Sequence, residues 1–190
     1  VLKPVGSSYT HSSGVFSYVP VIFGCNSFCT YCIVPATRGR EKSRKLSDIL
    51  DDVQRLVDSG AKEIILLGQN INHYAYDIGN PNGFIELLEA VSKVNGLKRL
   101  RYLTPYPAYF TKDLMKRMRQ IENLMPHFHL PVQSGSNRIL ELMKREYTKE
   151  FYLDIIESIW EIFENVSITT DIIVGFPSET EEDFMETVRL

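Results

Sequence analysis

The sequence predicts an α/β fold in which helices connect parallel strands, and three observations support this. Five short apolar runs, several of them β-branched, alternate with segments whose apolar residues recur at helical spacing. The second run, Glu63 to Leu67, is almost entirely apolar, as is typical of a strand buried on both faces. Small and polar residues follow each run. The alternation favours right-handed crossovers, in either a doubly wound sheet or a partial barrel.

Length and composition are those of a globular domain. The chain has 190 residues, of which 44% are hydrophobic and 24% charged, and these fractions are ordinary for a folded core. A net charge of −3 argues against a uniformly basic surface for nucleic acid but leaves room for a local basic patch. We find no long apolar run and no basic-then-apolar leader. We therefore expect a cytoplasmic protein with no membrane contact.

The first elements follow a Ser- and Gly-rich stretch. Residues 1–17 are predicted to be a lead-in, and residues 18–190 the core domain. Tyr18 to Phe23 is the first predicted strand, and its Pro20 suggests an edge strand or a strand start. A helix follows, with Ser47 as its N-cap and Gly60 just beyond its end. Its apolar face consists of Leu46, Ile49, Leu50, Val53, Leu56 and Val57.

The remaining elements alternate regularly. Predicted strands cover residues 63–67, 100–103, 127–132 and 167–174, and predicted helices cover 84–91, 111–121, 136–144, 149–164 and 180–190. The acidic residues at 181–183 suit the positive end of the last helix dipole. The chain begins without Met and stops inside a predicted helix, so we expect a fragment of a longer protein, cut after about five strand–helix units.

Polar and small residues collect after the predicted strands. The five loops contain the cysteines, then GQNINHY (68–74), TPYP (104–107), QSGS (133–136) and GFPSET (175–180). In parallel α/β folds these loops lie on one rim, where the chemistry is located. Any one of them could be only a turn or a helix entry, but four together beside a thiol cluster predict a functional rim.

All three cysteines lie in one loop, at Cys25, Cys29 and Cys32. In a chain without an export signal, such close spacing favours metal binding over disulfides. A structural zinc site requires a fourth ligand. The candidates are His11, His73, His127 and His129, and none of them lies at a usual spacing from the cysteines. An electron-transfer 4Fe–4S cluster uses four cysteines. Three thiolates would leave one iron open to a substrate or a second cofactor.

The C-x₃-C-x₂-C loop, with Tyr31 before its last cysteine, resembles that of the radical S-adenosylmethionine superfamily. The resemblance implies a partial (β/α)₆ barrel, one 4Fe–4S cluster and S-adenosylmethionine chelated at the open iron. Four further segments resemble the methylthiotransferase family: CTYCIVPATRGREKSR, LLGQNINHY, HLPVQSGSNRIL and TTDIIVGFPSETEEDF. The resemblance covers residues 19–190. It is closest to the branch that methylthiolates N6-isopentenyladenosine at position 37 of tRNA.

Site roles follow from this resemblance. It implies that Cys25, Cys29 and Cys32 hold the cluster, and that Arg145 pairs with the carboxylate of S-adenosylmethionine. The superfamily's Gly-Gly-Glu motif is replaced here by Gly-Gln-Asn, so an amide oxygen or a backbone carbonyl must accept the methionine amino group. No side chain is assigned to catalysis, and the role of Asp171 stays open. The other implied cofactor contacts are Tyr31, Gly68, Gln69, Asn70, Gln133, Ser134, Ser136, Ile173, Gly175 and Pro177.

A basic segment follows the cysteines and contains a single acidic residue, Glu41. It is either a solvated loop or a contact for the phosphates of a tRNA anticodon stem-loop, and Arg38 or Arg40 could instead hold an anionic part of the cofactor. Its basic residues are Arg38, Arg40, Lys42, Arg44 and Lys45.

The resemblance also implies parts that this sequence does not contain. These are an N-terminal domain with a second cluster and a C-terminal RNA-binding domain, so we expect this chain alone not to complete the reaction. A flavodoxin or ferredoxin is the expected electron donor. Two alternatives stay open. One is a sister methylthiotransferase that acts on threonylcarbamoyladenosine or on a ribosomal-protein aspartate, and the other is a zinc-stabilised binding module.

Overall fold

The computed structural model describes residues 14–190. Its strands are β1 (Phe16–Pro20), β2 (Ile22–Phe23), β3 (Lys42–Ser43), β4 (Glu63–Leu67), β5 (Arg99–Tyr102), β6 (His127–His129) and β7 (Ser167–Thr169). Its α-helices are α1 (Val34–Arg38), α2 (Leu46–Asp58), α3 (Gly83–Ser92), α4 (Lys112–Arg119), α5 (Asn137–Leu142), α6 (Lys149–Ile162) and α7 (Glu181–Arg189). Short 3-10 turns cover Ile71–His73, Tyr76–Ile78 and Pro107–Tyr109.

The longer strands lie side by side in chain order. β1 pairs in parallel with β4, β4 with β5, and β6 with β7. A parallel bridge from Leu100 to Leu124 joins β5 to the segment that enters β6, and the Met125 amide donates to the Leu100 carbonyl at 2.9 Å. A doubly wound sheet would reverse its strand order at a switch point. The sequential order therefore supports the partial barrel.

The first strand differs from its prediction. β1 begins at Phe16, so the lead-in predicted for residues 1–17 is wrong at its last two positions, and residues 1–13 lie outside the described part. Ser17 is buried and lies opposite Ile64 in the parallel register. The chain then leaves the sheet after Pro20, and β2 pairs antiparallel with β3. Pro20 does lie on an edge strand, as predicted.

Several helices start at a residue whose side chain caps them. The Ser136 and Thr180 side chains cap α5 and α7, and Thr180 forms a capping box with Asp183. The N-cap of α2, however, is Lys45 and not Ser47. The reason is that the Arg44 amide donates to the Val21 carbonyl at 2.9 Å, which holds the next residue extended and starts the helix earlier.

One hydrophobic core joins the strands to the helices. Ile64, Leu66, Leu100 and Phe128 supply its strand side, each at most 1% exposed. The helices α2, α3 and α6 cover it with a buried apolar stripe. Within residues 14–190, no helix is both long and apolar enough to span a bilayer. Side chains in the loops at the C-terminal ends of the strands that this core does not bury are available to form a site.

Candidate metal and cofactor site

The rim loops contain backbone that non-glycine residues rarely adopt. Phe28 (φ 48°) lies in the cysteine loop, Thr104 (φ 58°) follows β5, and Gln133 (φ 73°) follows β6. A left-handed conformation costs an L-residue roughly 1–2 kcal/mol. Residues held in this way concentrate at functional sites. Their occurrence in three neighbouring loops supports the predicted functional rim.

The cysteine loop is closed at its base by a short ribbon. β2 and β3 bring its ends together, and the Cys25 amide donates to the Gly39 carbonyl at 3.2 Å. Gly24 lies at this crossing with φ +73°, and a Cβ there would overlap the carbonyl oxygens of Arg40 and Gly39. Only glycine permits both the backbone angle and the close approach. Gly24 therefore fixes the position from which the first thiol projects.

Alanine at Gly24 should displace the loop. The left-handed backbone alone costs an alanine about 1 kcal/mol, and the overlap with two backbone oxygens adds a clash that side chains cannot relieve. We expect Gly24→Ala to retain less than about half of the iron that the wild type binds, by iron analysis after anaerobic reconstitution. The matched control is Gly79→Ala, because Gly79 has φ +80° and open space around it. Equal iron in both variants would contradict this role for Gly24.

The three thiols are free, with Cys25 and Cys29 half-buried and Cys32 exposed. The Ser27 amide points at Cys25 Sγ (3.4 Å) and Arg145 Nη1 at Cys29 Sγ (3.6 Å). Donors aimed at sulfur suit thiolates that bind iron. Within the described residues, no three His, Cys, Asp or Glu side chains converge as they stand on one point that could hold a metal. The loop thus supplies three sulfur donors of the right type, and their side chains must turn toward one another to share one cluster.

The predicted fourth ligands for zinc are occupied elsewhere. His73 binds Glu41, His127 contacts Arg101 at 3.1 Å, and His129 contacts Asp171 at 3.2 Å. His11 lies outside the described residues. Among residues 14–190, none of these histidines converges with the cysteines on a point that could hold a metal.

Arg145 lies beside one of the three thiols, that of Cys29. Its Nε donates to the Tyr147 hydroxyl (2.8 Å), its Nη2 to the Pro131 carbonyl (2.9 Å), and its Nη1 faces Cys29 and, at 3.4 Å, the Tyr31 hydroxyl. Its guanidinium stacks on the Tyr106 ring at 4.4 Å. Among the ion pairs of residues 14–190, none includes Arg145.

The tyrosines around Arg145 stay neutral. Burial raises the pKa of Tyr31, Tyr106 and Tyr147 above the ordinary value of 10.0. Their hydroxyls therefore accept hydrogen bonds without supplying a negative charge near neutral pH. The cation of Arg145 is left to interact with the Cys29 sulfur or with an anionic ligand.

The loop after β4 presents two acceptor oxygens. Gln69 Oε1 and Asn70 Oδ1 are buried, and neither has a hydrogen-bond partner in the part of the chain described. Buried polar atoms normally find a partner, so these oxygens are suited to a donor from a ligand. Gly68 has a different role, since a Cβ there would overlap the Ile22 side chain, and its carbonyl accepts from the Thr104 hydroxyl. The resemblance implies that an amide oxygen or a backbone carbonyl replaces a glutamate as acceptor, and these two amide oxygens stay candidates for that role.

The resemblance implies that Gln133, Ser134 and Ser136, in the loop after β6, contact the cofactor, but the two serine side chains have other partners. Ser134 and Ser136 are at most 1% exposed. The Ser134 hydroxyl contacts Thr187, and the Ser136 hydroxyl donates to Asp183 at 2.6 Å, which pins the loop to α7. Their hydroxyls therefore do not line the rim. Gln133 is half-buried, and its backbone pairs with Asp171 and Ile173.

The segment after β7 is largely open. Ile172 and Val174 are 47% and 63% exposed, while Ile173 is half-buried. Gly175 adopts φ +76°, and its amide donates to Glu179 at 2.5 Å. Pro177 is exposed. The exposed apolar side chains offer a surface on which a flat ring could pack.

The basic segment separates into exposed and structural residues. Arg38, Arg40, Lys42 and Lys45 are exposed, so each remains a candidate for phosphate contact. The prediction of Arg44 as a candidate for contact with RNA phosphates is wrong. Its guanidinium, only 15% exposed, donates to the Pro20 carbonyl at 2.8 Å and pairs with Asp52 at 2.5 Å, which ties the segment to β1 and α2.

Sequence reasoning missed Glu41. In the sequence it is only the one negative charge of a basic segment, but its side chain is 1% exposed and accepts hydrogen bonds from Asn26, Asn70 and His73. The sequence carries no signal for this burial, because one acid among five basic residues is the ordinary composition of a solvated charged run.

Sequence comparison places these features among known proteins. The profile of the radical SAM superfamily matches residues 19–190. The tRNA-2-methylthio-N(6)-dimethylallyladenosine synthase of Acetivibrio thermocellus is 52% identical over 177 residues, which are 93% of this chain and 37% of that protein. The synthase of the same name from Clostridium tetani is 50% identical over 185 residues, 97% of this chain and 41% of that one. The chain thus spans about two-fifths of these relatives.

Structural comparison gives the same fold. The radical S-adenosylmethionine methyltransferase TsrM from Kitasatospora setae, with tryptophan substrate and a SAM analog bound, superposes with a TM-score of 0.71 and 18% identity over 92% of this chain and 33% of that one. Methylornithine synthase PylB superposes with a TM-score of 0.64 and 14% identity, over 92% and 48% of the two chains. These identities are low, so the likeness describes the fold alone.

Proposed function

Because the chain belongs to the radical SAM superfamily, we propose that it is the cofactor-binding core of a methylthiotransferase that modifies N6-isopentenyladenosine at position 37 of tRNA. The parent enzyme would attach a methylthio group to C2 of the base. The choice of this substrate rests on the likeness to the two synthases, which are 50–52% identical to this chain over 93–97% of its length.

Members of this superfamily use a 4Fe–4S cluster whose electron cleaves the S–C5′ bond of S-adenosylmethionine to give a 5′-deoxyadenosyl radical. In this chain, Cys25, Cys29 and Cys32 would hold three irons. Arg145 would bind the methionine carboxylate, because a guanidinium fixes a planar anion with paired hydrogen bonds. The oxygens of Gln69 and Asn70 would accept the amino group.

The observation that carries the proposal is the composition of the rim around the cysteine loop. The Cys29 thiol lies beside a cation without an acidic partner among the described residues, and the other two thiols lie in the same loop. Two buried acceptor oxygens without a partner among those residues lie in the loop after β4. The methionine part of S-adenosylmethionine has a carboxylate to pair with this cation and an amino group to donate to these oxygens. The exposed side chains of Ile172 and Val174 would pack against its adenine, with Ile173, Gly175 and Pro177 alongside, and Tyr31 would lie beside the methionine.

Other parts of the proposal concern the parent enzyme. The N-terminal domain, the second cluster and the C-terminal RNA-binding domain would lie in segments that the longer relatives have and this chain does not include. Three cysteines supply ligands for one cluster only. A flavodoxin or ferredoxin would donate the electron in the cytoplasm. The exposed basic residues would contact the anticodon stem-loop, and these are Arg38, Arg40, Lys42 and Lys45.

Nucleoside analysis tests the substrate directly. In a strain that lacks the encoding gene, total tRNA should lose 2-methylthio-N6-isopentenyladenosine and accumulate the same nucleoside without the methylthio group. Loss of the methylthio group from threonylcarbamoyladenosine, or from a ribosomal-protein aspartate, would assign the chain to a sister enzyme instead. Reintroducing the wild-type gene is the control.

A further inference from the structure

Glu41 is a buried carboxylate within an exposed basic segment. Its flanking residues Arg40 and Lys42 are exposed, whereas its own side chain is 1% exposed. Burying a carboxylate is costly unless hydrogen bonds replace its water. The hydrogen bonds of Glu41 therefore indicate which parts of the structure its buried carboxylate connects.

One set of contacts reaches the cysteine loop. Asn26, which follows Cys25, donates from its amide nitrogen to Glu41 Oε2 at 3.1 Å and from its backbone to Oε1 at 3.3 Å. The Glu41 backbone amide donates in return to Asn26 Oδ1 at 3.3 Å. These three bonds fix both the backbone and the side chain of the residue next to the first thiol.

The other contacts reach the loop after β4. Asn70 Nδ2 donates to Glu41 Oε1 at 3.3 Å, and His73 Nδ1 lies 2.5 Å from Oε2. The His73 ring in turn packs nearly parallel to Tyr76 and Tyr109, with centroid distances of 4.1 and 4.6 Å. The carboxylate thus holds Asn70 by its nitrogen, and this fixes the direction of the Asn70 oxygen, which has no partner among the described residues.

All four contacts of the side chain use the two carboxylate oxygens as acceptors. An ionised carboxylate can accept four hydrogen bonds, whereas a carboxamide has one acceptor oxygen and a donor nitrogen. Glutamine at position 41 would fill the same volume but turn an N–H toward a donor. The arrangement therefore requires an acid at this position.

We propose that Glu41 is a positioning residue that sets the cysteine loop in register with the acceptor oxygens of Gln69 and Asn70. Through it, a ligand bound at the open iron would meet those oxygens at the correct distance. The inference rests on the proposed cofactor chemistry of the site. It assigns Glu41 no contact with the cofactor and no part in chemistry.

The test compares Glu41→Gln with a matched variant at the opposite end of the barrel. Glu63 starts β4, and its side chain is 17% exposed and pairs with Arg99 and Arg101 at 3.0 and 3.6 Å. Glu63→Gln removes the same charge from another hydrogen-bonded site. After anaerobic reconstitution of each 190-residue chain, iron content, the dissociation constant for S-adenosylmethionine and the electron paramagnetic resonance (EPR) spectrum of the reduced cluster are measured.

We expect Glu41→Gln to keep its iron and to bind S-adenosylmethionine about tenfold more weakly, a change of roughly 1.4 kcal/mol. The spectral change on adding S-adenosylmethionine should shrink correspondingly, while Glu63→Gln behaves as wild type. Wild-type affinity in Glu41→Gln would overturn the inference. Equal weakening in both variants would also overturn it, because Glu41 would then serve only fold stability.

The experiment also distinguishes a Glu41→Gln variant that does not fold from a wild-type chain that does not respond to S-adenosylmethionine. If Glu41→Gln fails to fold, Asn26→Ala removes the two bonds that the Asn26 side chain makes with Glu41 and leaves the bond from its backbone amide. Asn26 itself is exposed, so this variant disturbs the fold less. Threefold or greater weakening in that variant supports the inference, and wild-type affinity overturns it. A wild-type chain that holds iron but never responds to S-adenosylmethionine would overturn the proposed function, and the inference with it.

Discussion

Serine at any one of Cys25, Cys29 or Cys32 should leave the reconstituted chain nearly free of iron. The intact loop is expected to bind about four irons, and each single variant less than about one. A cysteine binds iron as a soft thiolate, whereas a serine hydroxyl is a hard ligand that stays protonated near neutral pH. No other cysteine in the chain can substitute for the lost ligand. Iron and sulfide analysis, with the brown absorbance of the cluster, measures the result.

The control for these variants lies within the same loop. Ser27→Ala retains the backbone amide that points at Cys25 Sγ and removes only a hydroxyl. It should bind iron like the wild type. A serine variant that held a full complement of iron would contradict the assignment of the three thiols as cluster ligands.

Lysine at Arg145 should separate cofactor affinity from cluster assembly. We expect Arg145→Lys to retain its iron but to bind S-adenosylmethionine at least about tenfold more weakly. The arginine holds four partners from one rigid plane and stacks on Tyr106. A lysine ammonium has three donors on a flexible stem and cannot present paired bonds to a carboxylate. Anaerobic calorimetric titration with S-adenosylmethionine gives the affinity.

Arg117→Lys provides the matched comparison. Arg117 lies on α4 and pairs with Glu89 at 2.9 Å, away from the cysteine loop. This variant should bind S-adenosylmethionine as the wild type does. Unchanged affinity in Arg145→Lys would show that the guanidinium does not contact the cofactor and makes only its contacts within the protein.

The sequence predicts the regular elements of this fold well where periodicity is strong. β4 has the predicted bounds, and the apolar face predicted for α2 lies within the observed helix, although this helix starts two residues before the position that a Ser47 cap implies. The short elements around the cysteine loop escape prediction for local reasons. α1 has five residues with a proline in its first turn, and β3 has two polar residues, so neither presents a periodic pattern.

The site is predictable to the extent that residue type decides it. The thiols, Arg145 and the amide oxygens of Gln69 and Asn70 have environments that suit their predicted roles. The buried serines after β6 do not, because their hydroxyls are consumed by α7, which arrives some 50 residues later in the chain.

Burial explains two other differences between the predicted and the observed site, those at Arg44 and Glu41. Arg44 and Glu41 belong to one short charged run, yet partners distant in sequence bury both of them. Composition indicates a solvated basic loop, since charged runs normally face water. Only the tertiary contacts with Asp52 and with Asn70 and His73 distinguish these two residues from their exposed neighbours.

The most direct test of this account is electron–nuclear double resonance of the reduced, reconstituted chain with S-adenosylmethionine labelled with ¹⁵N and ¹⁷O in its methionine part. The account predicts hyperfine coupling of both labels to the cluster, because three thiolates leave one iron free for the amino and carboxylate groups. Bound iron that shows neither coupling at saturating S-adenosylmethionine would contradict it.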